Sequence, residues 1–138
     1  MYVNNTNDDL TKASIHFFDD AFDPYIYYNN NLAYFQTKIP IKPYRHGGTY
    51  TGLSMNKTID LIVAANFPNG LPKIMVIMTD GGSYDSVVEA ANKAAANGIF
   101  IIAVGIGANV NDAQLLQIAG TSSNLIKISN YADLPKLV

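Results

Sequence analysis

Through the second half of the chain, short runs of continuous apolar residues alternate with longer amphipathic stretches. Lys73-Ile74-Met75-Val76-Ile77-Met78 is apolar at nearly every position and is stopped by Thr79-Asp80-Gly81-Gly82, the pattern of a strand buried on both faces and closed by a turn. Such a strand belongs at the centre of a sheet. From Ser86 to Asn97, Val87, Val88, Ala91, Ala94 and Ala95 fall on one side of a helix and Glu89, Asn92 and Lys93 on another, with Gly98 placed to close it. Ile99 to Val104 reads as a second buried strand ended by Gly105-Ile106-Gly107. A helix follows from Asn111 to Ala119, with Leu115, Leu116 and Ile118 inward. Leu125 to Ile128 is a third, shorter strand, and Tyr131 to Val138 has the look of the start of a last helix. Strand, helix, strand, helix, strand with short loops predicts a parallel sheet with right-handed crossovers, and so the α/β class.

The first half alternates differently. Ala13 to Phe18 fits a strand, and Pro24 to Tyr28 fits a second one that pairs with it through a turn over Asp19 to Asp23. Asn29-Asn30-Asn31 is placed to cap a short helix over Leu32 to Lys38, which Pro40 ends. The turn-rich stretch Arg45-His46-Gly47-Gly48-Thr49-Tyr50-Thr51-Gly52 then opens a helix over Leu53 to Asn66, with Leu53, Ile59, Ile62 and Val63 inward.

Composition narrows the function classes. The chain has 138 residues, one domain's length and enough for a single core. With 49% hydrophobic and 14% charged residues it is a globular sequence, not a disordered one. A net charge of -2 supplies no basic field for nucleic-acid binding. The absence of cysteine removes disulfides, thiolate zinc sites and cysteine nucleophiles. The apolar runs are far shorter than the roughly 18 to 20 residues that span a bilayer. The polar start, Met1 to Asp9, has neither the basic nor the apolar region of a signal peptide. Without repeats or a low-complexity linker, residues 1–138 read as one domain whose boundary lies outside them.

Candidate chemistry gathers at one place. In an open parallel sheet the loops after the strands share the carboxyl edge, where ligands bind. That puts Thr79-Asp80-Gly81-Gly82 and Gly105-Ile106-Gly107 together, and Gly47-Gly48-Thr49 reaches the same edge from the start of a helix. A hydroxyl and a carboxylate converging among glycines suit a hard divalent cation such as Mg²⁺, which takes oxygen ligands and keeps several waters.

Here the chain resembles a known family. Gly47-Gly48-Thr49-Tyr50-Thr51-Gly52 is similar to the GGTxTG element of von Willebrand factor type A domains, the group that includes integrin I-like domains. Thr79-Asp80-Gly81-Gly82-Ser83-Tyr84-Asp85 resembles their TDGxxxD element. Gly98 to Gly107, followed by Leu115-Leu116-Gln117-Ile118-Ala119, resembles GVxIFAVGVG and ELxxIA. The resemblance implies a doubly wound, mostly parallel sheet with helices on both faces. It also implies a metal-ion-dependent adhesion site in which a partner protein's acidic residue completes the coordination of Mg²⁺ or Mn²⁺. Carried over by position, Thr49 is the threonine ligand and Asp80 the aspartate ligand.

The family's remaining ligands come from a DxSxS element after its first strand, which is not found here. The nearest acidic run, Asp19-Asp20-Ala21-Phe22-Asp23, lacks both serines. Ala13 to Tyr28 corresponds to the family's second and third strands, so the first strand and helix are expected to be missing upstream, with Met1 near the end of that helix. In the implied strand order 3-2-1-4-5-6 this leaves two edges with unpaired backbone groups, unless strands 2 and 4 close up against each other.

The function expected is therefore a non-enzymatic, extracellular protein-binding or adhesion module that takes a matrix or cell-surface protein as ligand and has a partial metal site at Thr49 and Asp80. Two other readings stand beside it: a metal-free interaction domain of the same fold, and a small nucleotide- or phosphate-binding α/β protein. The last is weakened because position 110 is Val where the Gly-x-Gly-x-x-Gly fingerprint needs glycine, and because the sequence has no P-loop and no placed general base. Asp80 alone reads as a strand-ending or capping residue, and Asp85 as a helix N-terminal charge rather than a ligand. His16 and His46 read as packing or surface residues, and Tyr25, Tyr27 and Tyr28 as edge-strand packing before a contact surface. Asn4-Asn5-Thr6 and Asn56-Lys57-Thr58 are glycosylation sequons that only hint at secretion.

Overall fold

The computed structural model describes residues 12–43, 45–68 and 70–137. The expectations for the start of the chain, including the Asn4 sequon, lie outside them. Strand β1 (Ala13–Phe18) and strand β2 (Phe22–Asn29) form an antiparallel hairpin with irregular register between Ala13 and His16. Helix α1 (Leu32–Lys38) follows, capped by the Asn31 side chain, which accepts from the Tyr34 amide at 3.1 Å. Pro40 then turns the chain through a short 3-10 stretch over Ile39–Ile41. After helix α2 (Thr51–Ala64) come strand β3 (Lys73–Thr79), helix α3 (Val88–Ala96), strand β4 (Ile99–Ile106), helix α4 (Asp112–Ala119) and strand β5 (Leu125–Ile128). Residues Tyr131–Leu137 form a 3-10 helix where the sequence suggested the start of a longer one, because Pro135 lies inside it and cannot donate to a continuing α-helical ladder.

β3, β4 and β5 pair in parallel, with Met75 beside Ile101, Ile77 beside Ala103 and Ala103 beside Leu125. The α/β class follows from these crossovers. On one face of this sheet Met75, Ile77, Ile99, Ile101 and Ala103 are buried in a single cluster. It also contains Met55 and Ile59 of α2, Ala90 and Ala94 of α3, and Leu115, Ile118 and Ala119 of α4. At that layer α4 comes very close to β4. A Cβ on Gly105 would sit 2.5 Å from a terminal methyl of Leu115, so any larger residue there would push that buried side chain aside. α4 itself is closed by Asn111, which accepts from the Gln114 amide, and by left-handed Gly120.

One expectation is corrected. β3 reads as a central strand, yet among the described residues it stands at the edge of its three-stranded sheet. Its second face is open. Ile74 and Met78 are 50% and 49% exposed, and Phe100 beside them on β4 is 50% exposed. The hairpin forms its own small sheet and has its own core of Ala13, Ile26 and Phe35. The two sheets have not closed up, so the alternative in which the second and fourth family strands pair directly is not realised.

His16 sits in the hairpin with its ring 5.1 Å from Phe22 and 5.6 Å from Tyr27, and its buried Nδ1 has no hydrogen-bond partner. Burial lowers its pKa below the ordinary 6.5, so the unfolded chain takes up the proton first as the pH falls. The contribution of neutral His16 is therefore intact above about pH 6.5 and is lost as the pH drops through 6.5 toward the folded value. Thermal melts between pH 7.5 and pH 5.5 are expected to show a declining midpoint whose slope is shallower in His16→Phe. Equal slopes would remove His16 from the account.

Candidate functional site

The carboxyl edge of β3 and β4 is built by three loops that hold one another through backbone and carboxylate contacts. The Tyr84 amide donates to the Thr49 carbonyl at 2.8 Å, and the Tyr50 amide donates to the Asp19 carbonyl at 3.1 Å. Helix α2 begins at Thr51 without a side-chain cap of its own and without an acidic residue in its first turn. Asp85 caps it from another loop. Its two carboxylate oxygens accept from the Gly52 amide at 2.9 Å and the Leu53 amide at 2.6 Å, while the Ser83 hydroxyl donates to it at 2.6 Å. Negative charge there meets both the orphan amides and the positive end of the helix dipole. Gly52 is required for the approach, because the Ser86 carbonyl occupies the place of any Cβ.

Ser83 ties in α4 as well. Its amide donates to Gln114 Oε1 at 2.7 Å, and Gln114 Nε2 donates back to the Ser83 carbonyl at 3.0 Å. Asp85 is thus a helix N-terminal charge, as the sequence indicated, but it serves α2 and not the helix that follows it. The GGTxTG and TDGxxxD elements are two halves of one backbone clasp.

Thr49 and Asp80 are both on this edge. The Thr49 hydroxyl lies 3.8 Å from the point where a Gly81 Cβ would stand. Asp80 is exposed, and its Oδ2 accepts from the Tyr131 hydroxyl at 2.9 Å. The acidic run of the β1–β2 turn comes up beside them and is already engaged. Asp19 takes two hydrogen bonds from Arg45, both at 2.7 Å, and one from the Ala21 amide at 2.9 Å. The Ala21 amide and the Arg45 side chain hold the Asp19 carboxyl below its usual range, and the same pairing raises Arg45. Asp20 accepts from the Gly48 amide at 2.8 Å, and Asp23 pairs with Lys42 at 2.5 Å. These carboxylates are anchors for the glycine loop, which sequence reasoning did not assign. The signal was there in Lys42 and Arg45, two cations placed shortly before that loop.

Among the described residues no three His, Cys, Asp or Glu side chains come together as a metal-binding group. Thr49 and Asp80 by themselves bring one neutral and one charged oxygen, too few to replace much of the hydration shell of Mg²⁺. The donor set present does not fit a resident cation on its own. Gly105-Ile106-Gly107 has a structural task instead of a phosphate cradle: Gly105 admits Leu115, and the Gly107 amide donates to the Ile128 carbonyl at 2.9 Å. Flanking Thr49, the Tyr50 and Tyr84 rings meet at a tilt of 60° with 5.8 Å between centroids and are 37% and 75% exposed.

Fold and site together define an α/β domain whose loops meet at the carboxyl ends of parallel strands. The chain belongs to the von Willebrand factor type A domain family, whose signature it matches over residues 3–138. It is 33% identical over 94 residues to the human collagen alpha-6(VI) chain, covering 66% of this chain and 4% of that one. To mouse matrilin-2 it is 30% identical over 105 residues, covering 70% of this chain and 11% of matrilin-2. Among solved structures it superposes on proximal thread matrix protein 1 from the mussel byssus, with a zinc-occupied MIDAS motif, at a TM-score of 0.81 and 23% identity. That match covers 92% of this chain and 34% of the byssus protein. The chain therefore corresponds to a small part of much longer relatives.

Removing the trans cap tests the clasp. Asp85→Ala is expected to cost about 1 to 3 kcal/mol, since it leaves two helix amides and a serine hydroxyl without their acceptor. Asp85→Asn, which keeps one accepting oxygen, is expected to cost less. Urea unfolding midpoints at fixed m-value decide it, and a loss below 0.5 kcal/mol for the alanine variant would show that water replaces the carboxylate, by the order-of-magnitude scale for caps.

Proposed function

We propose that this chain is a non-enzymatic protein-binding module that docks a matrix or cell-surface protein at the carboxyl edge of its sheet, in an extracellular setting. The family membership and the collagen and matrilin relatives support the class and the setting. The observation that carries the reading is the donor inventory at the edge. Asp19, Asp20 and Asp23 are committed to Arg45, Lys42 and the Gly48 amide, Asp80 is held by Tyr131, and the exposed Tyr50–Tyr84 pair projects beside Thr49.

Thr49 and Asp80 are the retained pair of a divalent-cation site of the family type, for Mg²⁺ or Mn²⁺. In this chain the pair is half a site, so residues 12–137 present a contact surface that does not depend on a cation. Aromatic rings exposed beside backbone and hydroxyl groups are the usual anchors of such a surface. No helix among the described residues is long and apolar enough to cross a membrane.

Thermal melts of the chain with and without 5 mM Mg²⁺ or Mn²⁺, a concentration on the order of a thousand times a micromolar Kd, report the cation directly, since a ligand bound only to the native state raises its stability. The expected midpoint is unchanged by either ion. An upward shift abolished by Asp80→Ala and Thr49→Ala would overturn the cation-free reading and make that pair true ligands. Retention on a surface coated with reconstituted extracellular matrix is expected to be equal in Mg²⁺ and in EDTA and to be lost in Tyr50→Ala/Tyr84→Ala. Retention unaffected by the tyrosine changes would sink the docking edge.

A further inference from the structure

The loops that clasp the carboxyl edge also bring two ring faces and a carboxylate to one place, at positions that the family elements leave open. Tyr50 is the unspecified residue of GGTxTG, and Tyr84 is the last of the unspecified residues of TDGxxxD. Their rings meet at 60° with 5.8 Å between centroids, so the two faces form a corner. Gly48 lies against it. A Cβ there would stand 2.9 Å from Tyr84 Cε2 and 2.5 Å from Asp20 Oδ1, which puts the Asp20 carboxylate beside the Tyr84 ring.

Each wall is fixed from behind and open in front. The Tyr50 amide donates to the Asp19 carbonyl at 3.1 Å and the Tyr84 amide to the Thr49 carbonyl at 2.8 Å. Tyr84 stands between Ser83 and Asp85, which are bonded to Gln114 and to the first amides of α2. Asp20 accepts from the Gly48 amide through Oδ1 at 2.8 Å, and among the described residues its Oδ2 has no hydrogen-bond partner. Asp20 is exposed, as is most of Tyr84. Groups held in place in this way lose little freedom when a ligand arrives.

Charge and ring polarity select the occupant. Behind the corner, Arg45 pairs with Asp19 and Asp23 and Lys42 pairs with Asp23, so of these three carboxylates Asp20 is the one without an ion pair among the described residues. The face of an aromatic ring is the negative pole of its quadrupole, and together with Asp20 it repels an anion and attracts a cation. The chain uses the same chemistry on itself. Lys42 Nζ lies 4.7 Å from the centre of the Tyr25 ring while it pairs with Asp23, a ring and a carboxylate on one ammonium. Tyr50, Tyr84 and Asp20 repeat that arrangement, and among the described residues no lysine or arginine is placed over either ring.

We propose that this corner is the subsite for a basic side chain of the partner protein, a lysine ammonium or an arginine guanidinium set against the Tyr50 and Tyr84 faces with Asp20 as its counter-charge. The assignment rests on the docking-edge reading above and adds the ligand's chemistry to it. It uses neither the Thr49 nor the Asp80 side chain, and so does not depend on whether that pair holds a cation.

Side-chain mimics report the corner by itself. The full chain carrying ¹³C-labelled tyrosine is titrated by NMR with N-acetyl-lysine amide, N-acetyl-arginine amide and the uncharged N-acetyl-norleucine amide. The two cations are expected to shift the Tyr50 and Tyr84 ring signals with millimolar affinity, and the norleucine compound to leave them in place. Asp20→Asn keeps the oxygen that accepts from Gly48 and removes only the charge, whereas Tyr84→Leu keeps an apolar side chain and removes the ring face. Each is expected to weaken binding about threefold without moving the thermal midpoint, and Tyr84→Phe to retain it. Absence of shifts with both cations, or equal shifts with norleucine, would overturn the proposal. The matrix-coated surface separates this inference from the docking reading. Acetylating the matrix lysines, or blocking its arginines with phenylglyoxal, is expected to reduce retention, and the treatment that does so names the side chain. Retention that needs Tyr50 and Tyr84 yet survives both treatments would overturn the basic subsite and keep the docking edge. Retention indifferent to the tyrosine changes would sink the docking edge, and the basic partner with it.

Discussion

The arrangement depends on a clasp of backbone and carboxylate contacts at one edge, because among the described residues no strand ladder joins the two sheets. The hairpin reaches the parallel sheet through α2 and through the loops that start it. Asp19 accepts from Tyr50, Thr49 accepts from Tyr84, and Asp85 reaches across to the first amides of α2. A helix that starts without its own cap is stable only where another segment completes it. Here that segment is the loop following β3, so the start of α2 and the end of β3 are fixed together. Gln114, bonded twice to Ser83, extends the same fixation to α4. What resembles a set of metal-site motifs in the sequence is, in this chain, also the means by which its two halves stay in register.

Most of the regular structure was legible because periodicity and punctuation agreed. β1, α1 and β5 lie where the pattern put them, and Asn31, Asn111 and Gly98 sit at the helix ends that their side chains or positive φ favour. α2 begins two residues earlier than its apolar pattern suggests, since its start is decided by Asp85, distant in sequence, and not by a local cap. The candidate pair Thr49 and Asp80 was legible as two loop positions on one edge. What escaped was the role of Asp19, Asp20 and Asp23. Whether a carboxylate is free for a ligand depends on which cation folds back onto it, and the partners Arg45 and Lys42 are separated from them by a strand and a helix.

The same limit explains β3. An apolar run states how many faces a strand can bury, not how many neighbours it has. For β3 the two differ. Its inner face lies in a cluster shared with three helices, while Ile74 and Met78 meet solvent and its outer amides meet no strand among the described residues. Exposed apolar side chains taken singly are ordinary on a protein surface. A contiguous set on a sheet face, next to an unpaired edge, is not, and natural edge strands are usually broken by charge, proline or a bulge. β3 has only Lys73 at its start.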